Sequence, residues 1–398
     1  MTITKFIKKE AILLILLIIM LINPFYYGYR IAILLVFVLF LKFYHTLKLL
    51  DKNVLYLFLF GVFYHLISAN RIDSINKSIL SILPDVFLPA IIYMVGKVFS
   101  TAYKSEVIRI FFLFFIILFF SIVPAYSIIY QIITDGFVGN RSLYLIWDKN
   151  EIISATGLGS YFTINMAAIA LLNSPKISRF QNIISFLVFL LFLISLICVL
   201  RLGNRTQLLI GLISIIISFF FYFNRMSTLS KSIQFIIFGS IIGYISYLFV
   251  VESELIIIYQ DRIGDSEAGE IKLGGRLVKW KLALESILSD PWGWEKSRFG
   301  YSHNLWLDVV RVSGIIALIP LVFFSVSSFK LFLKSLTIIK KQNFLGTYIF
   351  VFYVSIFSQF FIEPIMEGIY LLFFIFCLFV GFLAGITSND GRIRLNEI

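Results

Sequence analysis

Apolar positions in this chain run on without a polar face. Stretches such as Phe111-Phe112-Leu113-Phe114-Phe115-Ile116-Ile117-Leu118-Phe119-Phe120 and Phe186-Leu187-Val188-Phe189-Leu190-Leu191-Phe192-Leu193-Ile194 would be hydrophobic all round as helices. Such helices belong in a core or a bilayer, and a spanning helix needs about 20 apolar residues. The pattern predicts spans at 10–27, 29–47, 53–70, 79–99, 107–130, 152–172, 182–200, 203–223, 231–251, 303–329, 344–362 and 368–386. The expected fold is therefore an all-α polytopic membrane protein of about 12 transmembrane helices. Residues 1–251 carry nine of them, 303–398 carry three and a tail, and 252–302 form one long connection.

That connection mixes acids with bases, and four of the five tryptophans (Trp280, Trp292, Trp294 and Trp306) fall in or just after it. Tryptophan prefers the membrane–water boundary. Within it, Leu277, Trp280, Leu284, Ile287 and Leu288 recur at helical spacing. An interfacial helix is expected there, entered through a bend at Gly274-Gly275 and ended by Asp290-Pro291.

Composition agrees with a membrane chain. It is 60% hydrophobic and 14% charged, where soluble domains run nearer 45–50% and 25%. The net charge of +12 would suggest nucleic acid in a soluble protein, but here it tracks the loops. Lys5, Lys8 and Lys9, Lys97 and Lys104, Lys340 and Lys341, and Arg392 and Arg394 all fall on the side shared with the N-terminus. The positive-inside rule makes that side, and both termini, cytoplasmic. The first apolar run lacks a small-residue cleavage site at Asn23-Pro24-Phe25-Tyr26 and reads as an uncleaved span. Cys198 and Cys377 lie inside apolar runs, so neither a disulfide framework nor a metal cluster is expected. There is no phosphate-binding glycine loop and no inverted repeat of the transporter kind.

Some polar residues stand where an apolar chain should not carry them. Arg201 and Arg205 lie four apart at an outer mouth with Asn204 and Gln207. If one helix continued through them they would share a face, and arginine forks suit phosphate; snorkelling surface arginines are the plain alternative. Arg276 opens the amphipathic segment. His303 and Asn304 follow the loop, and Asp308 and Arg311 come one turn into the next span, where charge is costly. Those two could be a structural ion pair. Asp85, between Pro84 and Pro89, could line a cavity. Glu363 and Glu367 could bind a sugar or be solvated, while His45 and His65 have ordinary span-end contexts.

The arginine segment 201–205, the long loop with Gly274-Gly275-Arg276 and Trp280, the turn Asp290-Pro291-Trp292-Gly293-Trp294 and the closing His303-Asn304 resemble the O-antigen polymerase and O-antigen ligase superfamily of bacterial membrane glycosyltransferases. The specific motifs occupy residues 201–306. The resemblance implies an enzyme on the periplasmic face of the bacterial inner membrane, without cofactor or metal. It would transfer glycan from an undecaprenyl diphosphate donor to an acceptor hydroxyl, and bind no nucleic acid. Arg205 or Arg201, together with Arg276, would hold the diphosphate, His303 would be the base, and Asn304 and Trp280 would contact substrate. Diphosphate leaves well once its charge is stabilised, and a histidine is the usual base near neutrality. Direct displacement would invert the anomeric centre. A polymerase extends a second lipid-linked repeat unit, with membrane lipids and a chain-length regulator as partners; a ligase uses the lipid A core. A flippase or transporter is the alternative of another class.

Overall fold

The structure, a computed structural model, describes residues 2–24, 34–35, 49–68, 79–137, 140–222, isolated positions between 228 and 243, 276–339 and 343–396. The expected spans 29–47 and 231–251, and the loop through Gly274-Gly275, lie almost wholly outside the described residues, as does His45.

The described chain is helical. In order come α1 (Ile3–Lys9), α2 (Ala11–Ile22), α3 (Lys52–Ser68), α4 (Ile79–Ala102), α5 (Glu106–Asp135), a hairpin of β1 (Leu143–Leu145) and β2 (Asp148–Ile153), α6 (Ala155–Ser160) and α7 (Thr163–Ala168). After them come α8 (Arg179–Leu202), α9 (Arg205–Tyr222), α10 (Arg276–Ser289), α11 (Leu305–Ile339), α12 (Asn343–Phe360), α13 (Ile365–Gly368) and α14 (Tyr370–Asn396). Among the described residues six helical stretches, one of them the run Ala155–Asn173 through α6 and α7, are long and apolar enough to cross a membrane, and four shorter apolar helices stand at other expected spans. The protein is an all-α membrane protein.

By packing, the chain divides into two compact units, Met1–Phe120 with Arg276–Ile398, and Ser121–Gly275. In the first unit α4 and α14 lie backbone against backbone. A Cβ on Gly96 would sit 1.9 Å from the Leu378 carbonyl oxygen, and one on Gly381 1.9 Å from that of Tyr93. Small residues permit such approach, which is how membrane helices gain contact without a hydrophobic driving force. Phe99, Phe112 and Phe382 stack beside the seam. At one end of this unit Lys97 meets Asp51 and the Leu49 carbonyl, both at 2.5 Å. Tyr93 donates to the same carboxylate at 2.7 Å, and the other Asp51 oxygen accepts from the Asn53 and Val54 amides that open α3. Arg109 donates to the Ser100 and Tyr103 carbonyls, satisfying a helix C-terminus. This network ties the start of α3 to the end of α4, so its role is architectural.

The second unit departs from its expected pattern in two places. Residues 143–153 form the antiparallel hairpin, with Leu143 opposite Ile153. The expected span 152–172 is broken into α6, α7 and a 3-10 turn at Ile169–Asn173. Buried Asn165 ties the broken segment down, donating to Ser121 and Ser195 at 2.8 and 2.9 Å.

Candidate functional site

A second cluster of charges stands at the other end of the first unit, where α3 finishes, α11 begins, α12 finishes and α14 begins. α10 packs Ala283 and Ile287 into a small core with Trp294, Phe299 and Val310. The amphipathic pattern is half right. Trp280 and Ile287 turn inward with Ala283 and Ser286, while Leu277, Leu284 and Leu288 stay exposed beside Trp292.

The segment after α10 is held by an interruption in α11. Gly314 has φ 71 and ψ −179, a left-handed conformation that favours glycine. In an unbroken helix the Ile315 amide would donate to the Arg311 carbonyl. Here Ile315 donates to Pro291 at 2.9 Å, and the Arg311 carbonyl accepts from Trp294 at 3.0 Å. Residues 291–294 are thus spliced into the ladder of α11 and satisfy the groups the break frees. Asp290 braces the same segment: a hydrogen bond from Arg298, at 2.6 Å, and one from Ser289 hold its carboxyl below the usual carboxylate range.

The chain reaches α11 through Tyr301-Ser302-His303-Asn304. Trp280 donates its indole N–H to the Ser302 carbonyl at 2.8 Å. Asn304 is the cap of α11, accepting from the Trp306 and Leu307 amides, and Asp308 accepts from the Ser302 and Asn304 amides at 2.7 and 3.2 Å. Trp280 and Asn304, expected to touch substrate, are therefore engaged in shaping this turn. His303 has φ 54, and its ring lies beside that of Tyr301, centroids 6.3 Å apart.

That ring meets an acid from α12's end. Glu363 is buried, with its side chain 3% exposed. Its Oε1 lies 3.4 Å from Arg276 Nη2 and its Oε2 3.8 Å from His303 Nδ1. Neither His303 Nδ1 nor Glu363 Oε2 has a hydrogen-bond partner among the described residues. A second pair stands alongside: Arg311 binds Glu367, approaches Asp308 at 4.0 Å, and lies over the Tyr301 ring. Tyr301 also holds Lys296 by its hydroxyl at 2.7 Å. Tyr64, at the end of α3, is within electrostatic reach of Arg311, Asp308 and Tyr301, and His65 shares a 2.9 Å hydrogen bond with Tyr370. Glu363 is not a solvated hairpin charge, whereas Glu367 stays exposed and is paired with Arg311, and Asp308 and Arg311 join the same group. Among the described residues no cluster of three or more His, Cys, Asp or Glu could hold a metal ion.

No family model matches the chain, and no curated protein matches it either.

Arg201 and Arg205 belong to the second unit and do not share a helix face. Gly203 closes α8 in the left-handed conformation, and α9 starts at Arg205. Arg201 is 1% exposed and donates to the Asn140 carbonyl, whereas Arg205 is exposed. Arg141, in the sequence only one of the outer-loop bases, donates twice to the Leu202 carbonyl at 2.7 and 2.6 Å, capping the end of α8. Of the two expected clamp arginines only Arg205 faces outward. Asp85 lies part-buried on α4.

Proposed function

We propose that the chain is a metal-independent inverting glycosyltransferase of the bacterial inner membrane. It spans the bilayer about twelve times, keeps both termini in the cytoplasm, and polymerises undecaprenyl diphosphate-linked repeat units into a surface polysaccharide on the periplasmic face. One observation supports this most. Arg276 and His303, chosen as phosphate ligand and base, converge on one buried carboxylate at the end of a bundle of apolar helices. A cation with a planar fork beside an imidazole, at the depth where a lipid diphosphate meets water, is what displacement at an anomeric carbon requires. Arg276 stabilises the departing diphosphate and His303 takes the acceptor's proton. The exposed Leu277, Leu284 and Leu288 stripe of α10 lies in the membrane interface.

The test is glycan extension by the purified protein in nanodiscs, supplied with a lipid-linked oligosaccharide. Arg276→Lys keeps the charge that balances buried Glu363 but loses the fork, so chain extension should fall while the protein still folds. Removing the cation outright would strand Glu363, a change worth about 3–5 kcal/mol, and would confuse folding with chemistry. Full extension by Arg276→Lys would remove the clamp, and transport of the lipid-linked oligosaccharide without extension would favour the flippase.

A further inference from the structure

Glu363 touches both residues to which the glycosyl-transfer reading gives separate tasks. We propose that Glu363 is a positioning residue that couples them. It leans on Arg276 when no diphosphate is bound, and closes on the Nδ1 side of His303 when a diphosphate takes Arg276 over. The proposal rests on the glycosyl-transfer reading.

Both contacts are loose. At 3.4 and 3.8 Å they exceed the 2.7–2.9 Å of a charge-assisted hydrogen bond, so the carboxylate is shared between two partners. Its two sides differ. Arg276 is 23% exposed and open to a ligand, whereas Glu363 is buried. A diphosphate brings more negative charge to Arg276 than one carboxylate does. Glu363 cannot then turn to water, because it is enclosed. Its neighbours are already committed: Asp308 to the Ser302 and Asn304 amides, and Arg311 to Glu367. The donor left for Glu363 Oε2 is His303 Nδ1–H, and both atoms lack another hydrogen-bond partner among the described residues. Catalytic hydrogen bonds that are long in a ligand-free site tighten in the substrate complex.

A Nδ1–H bond to Glu363 leaves the lone pair on Nε2, pointing at the acceptor. The acceptor oxygen then bonds to the anomeric carbon as its proton passes to Nε2. The bond from that carbon to the diphosphate oxygen breaks, and the electron pair leaves with the lipid diphosphate. The base is assembled only when the leaving group is in place, so the acceptor hydroxyl gives up its proton only where a bound donor can receive it.

The experiment compares the wild type with Glu363→Gln and Glu363→Asp as full-length protein in nanodiscs. Binding is read with farnesyl diphosphate as the probe, and turnover with a lipid-linked oligosaccharide. Glu363→Gln removes the carboxylate that competes for Arg276, so the probe should bind roughly two- to fivefold tighter, the worth of a modest ion pair. Turnover should fall by about 10²-fold or more, because the imidazole is no longer oriented, and Glu363→Asp should recover part of it. Turnover near wild type in Glu363→Gln would overturn the proposal. So would probe binding that weakens in step with turnover, which is what a plain structural brace gives. A wild type that neither binds the probe nor extends glycan would overturn the transfer reading itself, and the coupling with it.

Discussion

His303 occupies a backbone conformation, φ 54, that few non-glycine residues adopt; asparagine and histidine are among those enriched there. That fact makes one substitution unusually informative. His303→Asn should keep the turn, since Asn304 and not His303 caps α11, and remove only the imidazole. Membrane yield and thermal midpoint should stay near wild type, while turnover falls by the 10²–10⁴ expected for a lost base. An active Asn variant would make His303 a turn residue. Asn304→Ala should do the reverse, costing about 1 kcal/mol of stability through the lost cap, seen as a lower midpoint, with turnover reduced far less than in His303→Asn. Arg276 opens the amphipathic segment of the long loop and His303 follows that loop, and the family resemblance is what gives the two their roles. It left Glu363 as an acid with two plain roles, because nothing local shows that a residue 87 positions after Arg276 is folded beneath it. Trp280 and Asn304 were chosen for their neighbourhood, and the structure uses their hydrogen-bonding groups on the backbone.

α11 carries the feature that the hydropathy pattern could not display. The expected span 303–329 runs through Gly314 as one segment, and Pro320, the residue that would advertise a kink, comes later. The interruption exists because residues 291–294 supply the missing hydrogen bonds, a non-local match invisible to periodicity. Gly314→Ala tests it. A Cβ there would lie 2.8 Å from the Pro291 carbonyl oxygen and 2.9 Å from the Trp292 Cα, on a backbone that L-residues avoid. The cost should reach about 1–3 kcal/mol, with faster proteolysis within residues 290–300 as its signature. A variant as resistant as wild type would mean that the splice contributes little. The same limit explains the half-correct face of α10. The pattern grouped Leu277, Trp280, Leu284, Ile287 and Leu288, but a helix at an interface has two apolar surroundings. Protein takes Trp280 and Ile287, and the exposed leucines face away from it. In the second unit, Gly203 ends α8 between Arg201 and Arg205, so spacing that would share a helical face is divided between two helices.

The distribution of charge over the first unit argues for its orientation as a whole. The ends of α3 and α12 and the starts of α11 and α14 lie with Arg276, His303, Glu363 and Glu367, where acids and bases pair off. The opposite ends carry Lys52, Lys97, Lys104, Arg109, Lys330 and Lys334 in excess of acids. The hydrophobic runs and this asymmetry were legible in the sequence because the bilayer acts on each segment separately; the site was not, because it is assembled from four helix ends. An excess of Lys and Arg marks the cytoplasmic side, so the site should face the periplasm. The two native cysteines, Cys198 and Cys377, are buried, which leaves a quiet background for single labels. Trp292→Cys, at a position 64% exposed, should react with a membrane-impermeant maleimide in intact spheroplasts. Thr337→Cys, exposed near the far end of α11, should react only after permeabilisation. The reverse pattern would put the site where nucleotide sugars are available and lipid-linked repeat units have not yet been exported. A periplasmic polymerase could not work from there, and the transfer reading would fall with the topology.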